Sequence, residues 1–131
     1  KGYLFTIGDA DCHEKLKQEH IKAIFDDTYM TVPSNRLVKM AEEKFEVFHI
    51  HIEKHRPGIP AKLQSMLPGK ILCIPKEAVN TLPEIIISTM QLANGEDKEK
   101  VIAQWSDLAQ PIVRNAVKDL VVKSKKKGLF F

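Results

Sequence analysis

Three short apolar segments, separated by helical patterns, constrain the fold of this chain more than any other feature. They are YLFTIG (3–8), FEVFHIHIE (45–53) and ILCIP (71–75), and the second alternates in character with the period of a strand. No hairpin turn joins them, and strands connected through helices run parallel with right-handed crossovers. The order of segments therefore predicts an α/β fold, a three-layer Rossmann-like arrangement in which helices flank a parallel sheet.

Helical patterns fill most of the chain between and after these strands. We predict helices over residues 13–25, 34–44 and 77–93, and a short helix in AKLQSML (61–67). The third of these ends at Asn94-Gly95, a strong stop signal. Pro83 lies inside that segment, so the helix either begins there or kinks there.

The character of the chain changes after Gly95. From 98 to 122 an apolar stripe that includes Trp105 keeps a helical period, and Pro111 is either a kink or the first residue of a second helix. The sequence ends in KSKKKGLFF, a basic segment with an apolar end. We therefore predict an α/β domain over residues 1–95 and an amphipathic helical extension with a basic tail over residues 96–131.

Composition and charge exclude several classes of protein. With 44% hydrophobic and 28% charged residues, the chain is neither disordered nor fibrous. The net charge of +3 comes largely from four lysines within residues 123–127, so a nucleic-acid surface along the whole chain is not indicated. Cys12 and Cys73 form no CxxC pair, from which we expect reduced thiols and a cytoplasmic location. No apolar run is long enough to cross a bilayer.

Asp9 is the first candidate site residue, because it follows Gly8 at the end of the first predicted strand. Open α/β sheets bind ligands at the carboxyl ends of their strands, and a carboxylate there suits Mg²⁺. The alternative is that Asp9 caps the following helix, as residues of strand-to-helix turns often do. Asp11 has the same opportunity as a metal ligand, or it is an acid facing the helix dipole.

A second candidate cluster is the histidine-rich end of the second strand. His49 and His51 point to the same face of that strand, and His55 follows just past it, so a histidine zinc site is one interpretation. The other is that both are partly buried side chains that meet a helix. Cys12 and His13 are adjacent, and adjacent residues rarely face each other well enough for proton transfer.

The C-terminal part offers two candidate partner-binding features. Trp105 and its stripe are either a helix packing face or, where the domain leaves no room for them, a surface for a protein partner. Lys125, Lys126 and Lys127 could contact phosphate on nucleic acid or at an anionic membrane, or they are a solvated tail.

Taken together, GYLFTIGDAD, FEVFHIHI and LPGKILCIPKEAVNTLPEIIISTM resemble the C-terminal half of a von Willebrand factor A-like (vWA) domain of the bacterial intracellular kind. The resemblance covers roughly residues 2 to 93. In that family a six-strand sheet carries a metal-ion-dependent adhesion site (MIDAS) with three sets of ligands. They come from an Asp-x-Ser-x-Ser loop, a threonine in a second loop and an aspartate at a strand end, which Asp9 matches. Glycine precedes Asp9 where many members have threonine, and the other two loops have no counterpart here. If the sequence is a fragment, these loops lie upstream of Lys1; if it is the whole protein, the metal site is absent.

The resemblance implies a protein-binding module that is Mg²⁺-dependent when complete, with an acidic side chain of the partner completing the metal coordination. Such a module requires no hydrolytic chemistry. The main alternative is a Mg²⁺-dependent phosphohydrolase of the haloacid-dehalogenase type, since IGDADCHEK has a Gly-Asp at a strand end. The segment IGDADCHEK lacks the Thr or Val that such enzymes have after the second Asp of the nucleophile loop. A metal-free scaffold and a nucleic-acid-binding protein are further alternatives, and the oligomeric state is left open.

Overall fold

The computed structural model describes residues 1–10, 15–25, 31–54 and 58–122. Their strands are β1 (Gly2–Gly8), β2 (Lys15–Leu16), β3 (Val32–Pro33), β4 (Phe45–Glu53) and β5 (Ile71–Pro75). Their helices are α1 (Gln18–Phe25), α2 (Ser34–Glu42), α3 (Ala61–Met66), α4 (Leu82–Ala93), α5 (Lys98–Ala103) and α6 (Ala109–Val117), with a 3-10 helix at Lys76–Thr81 before α4.

The main sheet has three parallel strands in the order β1-β4-β5. Its register places Thr6 beside His49 and Gly8 beside His51, while His51 in turn lies beside Cys73. This confirms the predicted parallel sheet flanked by helices and the bounds of its second and third strands. The parallel direction follows from the crossovers through α1–α2 and α3, which return the chain to the same end of the sheet.

A two-stranded antiparallel ribbon was not predicted. Lys15 pairs with Pro33 and Leu16 with Val32. Because this pairing takes up residues assigned to the helix predicted over 13–25, α1 begins only at Gln18. Strands of two residues are too short to leave a periodic signal in a sequence.

The larger core lies between one face of the sheet and α4, α5 and α6. Phe48, Ile50, Leu72, Ile74 and Ile85 have no exposed surface there. Helices after residue 95 belong to this same cluster, to which they contribute buried side chains: Val101, Ile102, Val113, Ala116 and Val117. Burial of these large aliphatic side chains is the main force that holds the helices on the sheet.

Two of the predicted long helices are divided. The segment predicted as 77–93 is a 3-10 helix followed by α4, and Pro83 occupies the first turn of α4, where a missing backbone N–H is tolerated. The stripe predicted over 98–122 forms α5 and α6, which are separated by residues 104–108. Pro111 lies in the first turn of α6, so the chain breaks before that proline and not at it.

The opposite face of the sheet carries a smaller core, made of Val47, Leu63, Leu67 and Ile71. Helix α2 packs there with an apolar stripe, yet none of its residues is buried. The two faces of the sheet are therefore covered unequally.

Candidate functional site

Asp9 lies at the carboxyl edge of the sheet, one residue past β1, and Lys54 lies one residue past β4. Because β1 and β4 are adjacent and parallel, the two side chains meet, and the Lys54 ammonium forms an ion pair with the Asp9 carboxylate. Both remain partly exposed, at 37% for Asp9 and 53% for Lys54. The sequence did not identify Lys54, whose position follows only from the register of the two strands.

Electrostatics keep Asp9 anionic. The hydrogen bond from Lys54 and its positive charge lower the pKa of Asp9 below its ordinary 3.8. Helix α1 begins at Gln18, nine residues later, and its first N–H donates to Thr31 Oγ1 at 3.1 Å, so Asp9 does not cap that helix. The edge of the sheet thus presents a charged carboxylate whose partner is an exposed lysine.

His49 and His51 share a face of β4, as predicted, and both are buried, with 7% and 5% of their surface exposed. Thr6 Oγ1 and His49 Nδ1 are hydrogen-bonded at 2.8 Å, and the two imidazole rings lie 6.1 Å apart. Burial, and secondarily the charge of His51, lowers the pKa of His49, which keeps that ring neutral at physiological pH. His49 Nε2 and His51 Nδ1 have no hydrogen-bond partner among the described residues.

The other predicted site residues fall into two groups. The indole N–H of Trp105 donates to the buried Ser88 Oγ at 2.7 Å, and the ring packs against the larger core. The remaining candidates lie outside the described residues: Asp11, Cys12, His13, His55, Lys125, Lys126 and Lys127. Within the described ranges, no group of three or more His, Cys, Asp or Glu side chains is placed to hold a metal ion.

Cys73 on β5 is a half-buried free thiol. Burial, assisted by the nearby Glu53 carboxylate, raises its pKa to about 11. Since the thiolate is the nucleophile, Cys73 is a poor candidate for nucleophilic chemistry at neutral pH.

One feature that the sequence did not predict is a cavity of about 390 Å³ between the sheet and helices α2 and α3. Its wall is mostly aliphatic, with Leu4, Leu37, Ala41 and Val47 among its residues, and His49 is part of it. The apolar stripe of α2 was the only sequence signal, and a stripe does not tell a filled layer from an unfilled one.

No protein-family model, curated protein sequence or solved structure matches this chain. Fold and site define its class as an α/β protein with a Rossmann-like parallel sheet and a charged pair at the carboxyl edge of that sheet. Across the described ranges, every helix is too short or too polar to span a bilayer.

Proposed function

We propose that this chain is part of a protein–protein interaction module of the vWA type, in which Asp9 becomes a Mg²⁺ ligand once the module is complete. The single observation that carries the proposal is the position of the Asp9 carboxylate, anionic and exposed, directly past the end of β1. This edge of an open parallel sheet is where such folds bind ligands, and carboxylate oxygen is a preferred ligand of Mg²⁺.

Lys54 has a defined role in this proposal. It neutralises the Asp9 carboxylate when no metal is bound, and a divalent ion would have to displace it. Ion pairs between exposed side chains contribute little free energy, so the displacement costs little.

The remaining ligands would come from a strand beside β1. Among the described residues β1 pairs only with β4, so its other edge is open to a further strand. An Asp-x-Ser-x-Ser loop does not occur in the sequence, and we propose that it is supplied at this open edge. An acidic side chain of the partner protein would then occupy the free coordination position. The free thiol of Cys73 fits the cytoplasmic location that we assume for the module.

Paramagnetic Mn²⁺, which shares the oxygen preference of Mg²⁺, tests the metal site directly. In the complete module, which includes the Asp-x-Ser-x-Ser loop, we expect Mn²⁺ to broaden the amide resonances of Gly8 and Lys54 selectively, and excess Mg²⁺ to reverse the effect. Asp9→Asn should abolish it, while Asp107→Asn, at an exposed position between α5 and α6, should leave it unchanged. Broadening that persists in Asp9→Asn would refute the proposed ligand. Capture of a partner that is equally efficient in Mg²⁺ and in EDTA would refute the Mg²⁺-dependent module.

A further inference from the structure

The cavity between α2, α3 and the sheet lies on the less buried face of the sheet. Phe48, Ile50 and Leu72, on the far face of the sheet, have no exposed surface. On the cavity side, Leu4 and Leu37 remain 37% and 36% exposed, and α2 buries none of its residues. The space has a volume of about 390 Å³ and is open to solvent, so an apolar molecule that entered it would bury these aliphatic side chains.

The chemistry of the wall limits that occupant. The described residues that line the cavity include no Asp, Glu, Lys or Arg. A charged group placed there would lose hydration without gaining a counter-ion from these lining residues, which is costly. The polar lining residues are Ser34 and the hydrogen-bonded pair of Thr6 and His49, and in that pair His49 Nε2 lacks a hydrogen-bond partner among the described residues.

We propose that this cavity is a binding site for a small uncharged apolar molecule that carries one hydrogen-bonding group, with its polar end at the Thr6–His49 pair and its hydrocarbon part against Leu37, Ala41 and Val47. The volume lies within the range of known small-molecule sites, which is about 300 to 1,000 Å³. The hydrogen bond to the pair would fix the orientation of the ligand, while the aliphatic wall would supply most of the affinity. Ala10, which follows Asp9, also lines the cavity, but the proposed binding uses neither the Asp9 carboxylate nor a metal ion.

A series of straight-chain alcohols tests the size and polarity of the site. Each added methylene from 1-hexanol to 1-decanol should tighten binding about fourfold until the cavity is full, as measured by calorimetric titration of the full chain. Decanoate and decylammonium, which match 1-decanol in length but are charged, should bind at least about tenfold more weakly than it.

Two variants locate the site. Ala41→Phe places a ring in the cavity and should abolish alcohol binding. Thr6→Val keeps the shape of the wall but removes the hydroxyl, so it should weaken alcohol binding and leave the affinity of a matched hydrocarbon unchanged. Ile87→Ser, at an exposed position on α4, is the control and should bind as the unaltered chain does. Unchanged circular dichroism shows that each variant is folded.

Three outcomes would overturn the proposal. The first is equal binding of the charged and uncharged ten-carbon probes, and the second is unaltered alcohol binding by Ala41→Phe. The third is a polypeptide occupant: light scattering would show a dimer that Ala41→Phe dissociates, while no alcohol binds.

Discussion

Truncating Ile102 tests whether the helices after residue 95 fold as one unit with the sheet. Ile102 on α5 is 1% exposed and belongs to the core cluster that contains Phe48 and Ile85. Ile102→Ala removes three carbon atoms from this cluster, each worth about 0.8 kcal/mol of transfer free energy. The cavity left behind adds to this loss, and the total free energy of unfolding should fall by about 3 kcal/mol.

Urea denaturation followed by two probes provides the assay. Far-UV circular dichroism reports on the helices and strands together, and the fluorescence of Trp105, the only tryptophan in the chain, reports on the segment between α5 and α6. With a urea m-value of about 1.5 kcal/mol per M, the loss corresponds to a fall of about 2 M in the midpoint. Both probes should shift together, because the sheet and the later helices share one core.

Leu108→Ala is the matched control. Leu108 lies in the same part of the chain but is 85% exposed, so its truncation should change the stability by no more than about 0.5 kcal/mol. If Ile102→Ala moves the fluorescence transition alone and leaves the circular dichroism transition in place, the segment unfolds independently. The shared core would then not be the source of its stability.

Three further predictions concern individual residues. Burial lowers the pKa of His49 below 6.5, so the unfolded chain binds a proton at this residue more readily than the folded protein does. The free energy of unfolding should therefore be highest above about pH 7 and fall as the pH drops through 6.5. His49→Gln should flatten this part of a profile of melting temperature against pH. In a Cys12→Ser background, Cys73 should react with iodoacetamide at pH 8 about 100-fold more slowly than a thiol with a pKa of 9.0, because the pKa of Cys73 is raised to about 11. Equal reaction rates of the two thiols would contradict the raised pKa of Cys73. Gly69→Ala should destabilise the protein by about 2 kcal/mol in urea titration, because φ is +71° and an added Cβ would lie 2.8 Å from Val121 Cβ. Gly58→Ala, where φ is +101° but the space around an added Cβ is open, should lower the free energy of unfolding by less.

Sequence patterns predicted the strands of the main sheet well. Residues 45–53 and 71–75 form strands with the predicted bounds, and YLFTIG lies within β1. Each is a short run rich in β-branched or aromatic residues and flanked by turn residues, which is a local signal. The face shared by His49 and His51 was also predicted, since side chains alternate along a strand.

Helix boundaries were predicted less well, because tertiary contacts decide them. The helix predicted over 13–25 loses its beginning to a strand pair between Lys15–Leu16 and Val32–Pro33, residues far apart in sequence. The stripe predicted over 98–122 divides into α5 and α6, and both pack on the same core. The spacing of apolar residues does not show where the chain turns between two helices that pack on the same sheet.

The candidate site also has one residue that the sequence predicted and one that it did not. That a carboxylate would stand at a strand end was apparent from Gly8-Asp9, whose order in the chain is a local property. That Lys54 would face it could not be read from the sequence, since the two residues are brought together only by the pairing of β1 with β4. The use of Asp9 as a metal ligand stays a prediction.

Local order along the chain was enough to establish the alternation of strands and helices, and with it the parallel sheet, because crossover geometry leaves few other arrangements. Only the tertiary structure decided which residues meet at the edge of that sheet, how the later helices join its core, and that one helical layer leaves a cavity. Each of these depends on distances between residues that are remote in sequence, and side-chain packing at such distances has no periodic signature.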